Sequence, residues 1–211
     1  MKPLVIVDES HHARSELSLE MLENFNPCFV LDLTATPKKE SNIISYVDAV
    51  QLKNEHMVKL PVIVYNRDSQ SEVLIDAIDL RNKLEEIASA EYAKTGKYIR
   101  PIALFQAQPK GKEDATTFEK LRDKLVDAGI PAEQIAIRTA DVNELKNVEL
   151  MSLSCPIRYI ITVNALKEGW DCPFAYILAS LANKTSQVDV EQILGRILRL
   201  PHTSQHTQSA L

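Results

Sequence analysis

The sequence predicts an α/β fold with a mostly parallel sheet. Short apolar runs rich in β-branched residues alternate with longer stretches at helical period. Glycine and proline fall between them, where such elements have to stop. Strand–helix–strand succession implies crossover connections, and therefore parallel neighbours, around one packed core.

Leu4-Val5-Ile6-Val7 is a continuous apolar run and reads as a strand buried on both faces. Residues 14–24 follow as a helix with Leu17, Met21 and Leu22 on one side. Cys28 to Leu33 is a second buried strand, ending at Thr34-Ala35-Thr36-Pro37. From Ser41 to Leu60 the pattern loosens, and Pro61 to Tyr65 reads as another strand. A long helix is expected over residues 71–94, with Leu74, Ala77, Ile78, Leu84, Ile87 and Ala88 near helical spacing and Gly96 placed to end it. Ile102 to Gln106 is a strand, and residues 114–128 form a helix closed by Gly129 and Pro131. Ile135 to Arg138, Tyr159 to Val163 and Ala175 to Leu181 complete the strands. A last helix from Ser186 to Leu200 is stopped by Pro201, and the remaining tail is polar.

Composition narrows the function. The 211 residues are 45% apolar and 25% charged, as in ordinary globular proteins. No run approaches the roughly 18 apolar residues of a membrane span. The apolar run near the N-terminus is too short for a signal peptide and ends in acids. Cys28, Cys155 and Cys172 are too few and too scattered for a disulfide framework or a zinc site, so reduced thiols and a cytoplasmic location are expected. The net charge of −5 speaks against binding nucleic acid by bulk electrostatics, though not against a local row of phosphate contacts.

Three segments carry chemistry. Asp8-Glu9-Ser10-His11 directly follows a strand, and ligands of parallel α/β sheets bind at the C-terminal strand ends. Adjacent carboxylates there suit nucleotide hydrolysis: one holds Mg²⁺ through water and the next orients the attacking water. A solvated turn would look the same in isolation. In Asp189–Arg199, helical spacing puts Gln192, Arg196 and Arg199 on one face, and guanidinium forks match the oxygens of a terminal phosphate. A basic exposed stripe opposite Ile193, Leu194, Ile197 and Leu198 is the plainer account, but it leaves Gln192 and Gly195 unexplained. The third segment, Thr162 to Pro173, leaves a strand and offers Gly169 and Asp171 to a nucleotide.

Taken in order, DESH, TATP, NALKEGWDCP and QILGRILR resemble motifs II, III, V and VI of superfamily 2 helicases. GWDCPFA with VEQILGRILRLP most resembles the motor (Res) subunit of type III restriction–modification enzymes. The resemblance covers nearly the whole chain. It implies a RecA-like parallel sheet with flanking helices. Residues 1–50 would be the C-terminal part of a first, ATP-binding lobe, 51–60 a linker, 61–201 most of a second lobe and 202–211 a tail. It implies ATP and Mg²⁺ as cofactors, with Asp8 on the metal, Glu9 as base, and Arg196 or Arg199 as the arginine finger. His11, Gly169, Asp171 and Gln192 would line the nucleotide site. Thr34 and Thr36 would couple hydrolysis to DNA, and Gln106 and Thr162 would meet the DNA backbone.

The phosphate loop G-x-x-x-x-G-K-[ST] expected ahead of DESH is not in this sequence, whose five glycines are at 96, 111, 129, 169 and 195. Nor does a nuclease segment follow QILGRILR. The expectation is a motor fragment, inactive alone. Its partners would be double-stranded DNA, a methyltransferase (Mod-like) subunit, and the N-terminal motor and C-terminal nuclease segments, with no membrane. A non-catalytic DNA- or partner-binding module, a type I restriction or repair motor, and the relic of a disrupted gene are the alternatives.

Overall fold

The structure, a computed structural model, describes residues 2–8, 16–34, 42–109, 116–163, 171–181, 195 and 197–203. It divides into two compact units, residues 1–47 and 48–211.

In the first unit, β1 (Leu4–Asp8) and β2 (Phe29–Leu33) pair in parallel, from Leu4 against Phe29 to Asp8 against Leu33. Helix α1 (Glu16–Asn24) lies between them in sequence. Parallel neighbours need a crossover of about a dozen residues, and residues 9–28 supply it. Both strands were expected to be buried on both faces, and they are not. Leu4, Ile6, Phe29 and Leu33 are about half exposed, while Val5, Val7 and Leu31 are partly covered. Among the described residues one nine-residue helix accompanies the strand pair, too little to cover two faces.

The second unit holds a four-stranded sheet in the order β4-β5-β3-β6, all parallel. The strands are β3 (Ile102–Gln106), β4 (Ile135–Arg138), β5 (Tyr159–Thr162) and β6 (Ala175–Ser180). Two helices precede the first of them. Helix α2 (Ala49–Asn54) occupies a stretch that shows no helical period. A capping box starts it: Asp48 accepts from the Gln51 N–H at 2.7 Å, and the Gln51 side chain accepts from the Asp48 N–H at 3.0 Å. Helix α3 (Gln70–Thr95) opens with a second such box, Ser69 with Glu72. It ends at Gly96, whose φ of 70° and N–H bond to the Tyr92 carbonyl at 2.8 Å make a left-handed cap.

The buried positions of α3 are Leu74, Ala77, Arg81, Leu84, Ala88 and Glu91, an unbroken alternation of three and four. Two of these are charged. Arg81 is accommodated by donating to the Pro101 carbonyl at 3.2 Å and pairing with Glu85 one turn on. Helix α4 (Phe118–Asp127) is capped by Thr117 and buries Leu121 and Leu125.

Strand residues alternate between two packed layers. Ala103, Phe105, Ile135, Ile137, Tyr159, Ile161, Ile177 and Ala179 pack against α3 and α4. Ile102, Leu104, Ala136 and Ile160 pack against Leu145, Cys172, Phe174 and Ile197. Every residue of β3 is buried, as a central strand covered on both sides must be. The architecture is therefore mixed α/β with parallel strands and flanking helices, consistent with a RecA-like fold.

Two expected elements differ. Pro61 to Tyr65 forms no strand; Ile63, Val64 and Tyr65 are well exposed. Its β-branched residues favour extension, but a strand also needs a partner ladder, and none is made there. The last helix was expected to reach Leu200. Gly195 and Ile197 are helical, Leu198 is a turn, and Arg199 forms an isolated antiparallel bridge with Val58.

Candidate functional site

Asp8 is the last residue of β1. Its register partner is Leu33, and Thr34 follows directly, so Asp8 and Thr34 lie at one C-terminal edge of the parallel pair. The Asp8 carboxylate is exposed and Thr34 half-buried. Mg²⁺ keeps most of its water shell and binds through one or two carboxylates, so an exposed aspartate at a strand end has suitable donor chemistry. Among the described residues no three His, Cys, Asp or Glu side chains cluster as a metal site. Glu9, His11 and Thr36 lie outside the described residues.

Gln106 and Thr162 are register partners at the C-terminal ends of β3 and β5. Both are buried. The Gln106 amide is used internally: Ser180 Oγ donates to its Oε1 at 3.0 Å, and its Nε2 donates to the Val163 carbonyl at 3.5 Å. Gln106 thus fastens together the ends of β5 and β6. Gln108 extends the same fastening. Its Nε2 donates to the Leu181 carbonyl at 2.9 Å, and its Oε1 accepts from the Thr116 N–H at 2.9 Å. Thr116 Oγ1 in turn reaches the Gln70 side chain at the start of α3, at 2.6 Å.

Asp171 and Arg199 stand elsewhere on the unit. Arg199 Nη1 donates to Asp171 Oδ2 at 2.8 Å, and both side chains are about half exposed. Asp171 does not cap a C-terminal strand end; it lies four residues before β6, on that strand's N-terminal side. Pro173 sits in the turn that leads in, closed by the Ala175 N–H to the Cys172 carbonyl at 2.9 Å. The Gln106–Thr162 and Asp171–Arg199 pairs are therefore separated along the strand direction. Gly169, Gln192 and Arg196 lie outside the described residues.

The backbone under Arg199 is held by residues 57–60. Besides the Val58 bridge, the Lys59 N–H donates to the Leu198 carbonyl at 2.6 Å and the Leu200 N–H to the Met57 carbonyl at 2.9 Å. Lys59 Nζ donates to the carbonyls of Ile197 and Ala175, each at 2.6 Å, and stands 4.1 Å from the centre of the Tyr176 ring. Burial pulls the Lys59 ammonium down to about 7, with Cys172 and Asp171 opposing. Burial also pushes the Cys172 thiol up to about 11 and raises Tyr176. Sequence reasoning missed Lys59, since a single lysine in an aperiodic stretch carries no pattern.

Chemically, the Asp171–Arg199 pair is an accessible guanidinium whose present partner is one carboxylate. Phosphate oxygens accept the same donors and carry more charge, so an anionic nucleotide can compete for them.

A family model described as type III restriction enzyme, res subunit, matches residues 1–39, the stretch that contains β1 and β2. The chain is also similar to a protein described as putative helicase 22, from Sulfolobus islandicus filamentous virus (isolate Iceland/Hveragerdi). The two are 20% identical over 230 residues, which cover 93% of this chain. The chain spans 40% of the length of that curated relative. Both similarities support a helicase-type superfamily.

Proposed function

We propose that this chain is part of an ATP-dependent DNA translocase of the kind found in type III restriction enzymes. The observation that carries this reading is the Asp171–Arg199 pair, an exposed guanidinium and carboxylate brought together from the two segments that resemble nucleotide-facing motifs. The match of residues 1–39, ending just beyond the TATP segment, supports it from the other end of the chain.

On this reading Asp8 and Glu9 belong to the hydrolytic chemistry. Asp8 would hold the magnesium of MgATP, which neutralises phosphate charge. Glu9 would take the proton of the attacking water. Arg199, with Arg196, would stabilise charge on the phosphate oxygens, a role worth roughly 10³–10⁵ in rate once nucleotide is bound. His11, Gly169, Asp171 and Gln192 would line the nucleotide site, and Thr34 and Thr36 would couple it to DNA. Gln106 and Thr162 would act on the DNA side by shaping the strand ends, because their side chains are buried. Double-stranded DNA and a methyltransferase subunit are the partners this function requires.

The phosphate loop supplies the first anchor for the β- and γ-phosphates, so the chain alone is expected to show no DNA-stimulated ATP turnover. Mixing it with a separate segment carrying that loop should restore turnover, and Glu9→Gln should abolish it. Robust turnover by the chain alone would refute the dependence on the missing loop. A second reading, a non-catalytic DNA-binding module, is favoured by the buried clusters that pack on both faces of the second unit's sheet. Salt-dependent DNA binding indifferent to nucleotide is the result that would select it.

A further inference from the structure

We propose that Lys59 is a positioning residue for Arg199: by donating to the carbonyls of Ile197 and Ala175 it fastens residues 57–60 to residues 197–200 and holds the extended backbone from which Arg199 reaches Asp171. The consequence for nucleotide chemistry rests on the proposed role of Arg199, whereas the fastening stands on the contacts alone.

The two carbonyls are informative. Ile197 is helical and Leu198 is a turn, so the Ile197 carbonyl is at a helix end, where carbonyls lack partners within the helix and cations are favoured. Ala175 opens β6, an outer strand of the sheet. One ammonium therefore links the end of the last helix to the four-stranded core. Its methylene stem and its place over the Tyr176 ring leave it little freedom to point elsewhere.

Around it, among the described residues, the backbone contact between the segments is slight: one bridge, Val58 with Arg199, and the two flanking backbone bonds at Lys59 and Leu200. A two-stranded patch of this size is at best marginal unless something else holds it. Among the described residues, the buried Ile197 side chain and Lys59 do so, and Lys59 is the one that reaches across from residues 57–60. With it in place, Arg199 leaves the chain from an extended, bonded residue rather than from a fraying helix end. Less backbone entropy then remains to be lost when it engages an anion.

The test uses the full chain labelled with ¹⁵N and reads the Arg199 Nε–Hε resonance, assigned by its disappearance in Arg199→Lys. Asp171→Asn should shift that resonance and speed its exchange with water, roughly two- to fivefold for an exposed pair of this kind. Lys59→Met should speed exchange to the same degree while the amides of Leu104 and Ile160 stay in place, and Lys59→Arg, which keeps two or more donors, should restore it. If Met disturbs the sheet amides, Lys59→Gln gives the same readout with a shorter, uncharged side chain. Unchanged exchange in Lys59→Met with the sheet intact, or equal behaviour of the Met and Arg variants, would overturn the positioning role. MgATP tests the functional reading separately. Movement of the resonance supports a nucleotide role for Arg199 and no movement counts against it, while Lys59→Met decides the positioning claim either way.

Discussion

Lys59 makes the stability of the second unit depend on pH in an unusual direction. In the unfolded chain its ammonium titrates near 10.5, and in the folded chain near 7. Between those values the unfolded state holds a proton that the folded state has released, so stability rises with pH. Each pH unit in that window is worth at most about 1.4 kcal/mol. From pH 7.0 to 8.5, with partial titration at the lower end, the gain is about 1.6 kcal/mol. Cys172 works oppositely: its folded value near 11 lies above its ordinary 9.0, so it costs stability from about pH 9 upward. The interval from 7.0 to 8.5 isolates the lysine. Urea unfolding followed by far-ultraviolet circular dichroism, to which the 26-residue α3 contributes strongly, is the assay. The midpoint should rise by roughly 0.5–1.5 M urea across the interval at ordinary slopes. Lys59→Met should remove the rise. If Lys59→Met keeps the native pH dependence, the ammonium is hydrated in solution and the reasoning fails.

Two further outcomes concern the fold. Leu121, fully buried between α4 and the sheet, should cost about 3–5 kcal/mol as Leu121→Ala, read as a lower urea midpoint at unchanged slope. Gly96→Ala should cost about 1 kcal/mol or somewhat more, by the same measurement. An added Cβ meets no atom within 4 Å, so the cost comes from the positive φ and not from crowding.

Much of the second unit could be read from residue types because its elements obey their periods. Leu74, Ala77, Leu84 and Ala88 mark the buried line of α3, and Gly96 ends it where a left-handed residue is needed. The missing members of that line, Arg81 and Glu91, are charged, and only the structure shows how Arg81 is tolerated, through the Pro101 carbonyl and through Glu85 one turn on in the same helix. Helix α2 lies in the stretch read as loosened: six residues are too few for a period to show, and the Asp48–Gln51 capping box that starts it was not read from the sequence. Pro61 to Tyr65, read as a strand, has strand composition without a strand, since pairing depends on a neighbour that local sequence does not specify. In the first unit, apolar continuity in β1 and β2 implied cover that the described residues do not supply. At the candidate site the residue types pointed to Asp171 and Arg199, while their common place near the start of β6 depended on a turn and a bridge between distant segments.

The strand order has a consequence for synthesis. β3 is flanked by β5 and β6, and both are made later: Ala103 pairs with Tyr159 and with Ile177. At about 5–20 residues per second, roughly 3–11 s pass between completing β3 and completing β5. During that interval β3, every residue of which is buried in the finished fold, has no ladder partner, and α3 has no finished surface to cover. A nascent chain stalled between residues 106 and 159 should therefore be the species that aggregates or recruits chaperones, whereas one released after β6 can close the sheet in a single step.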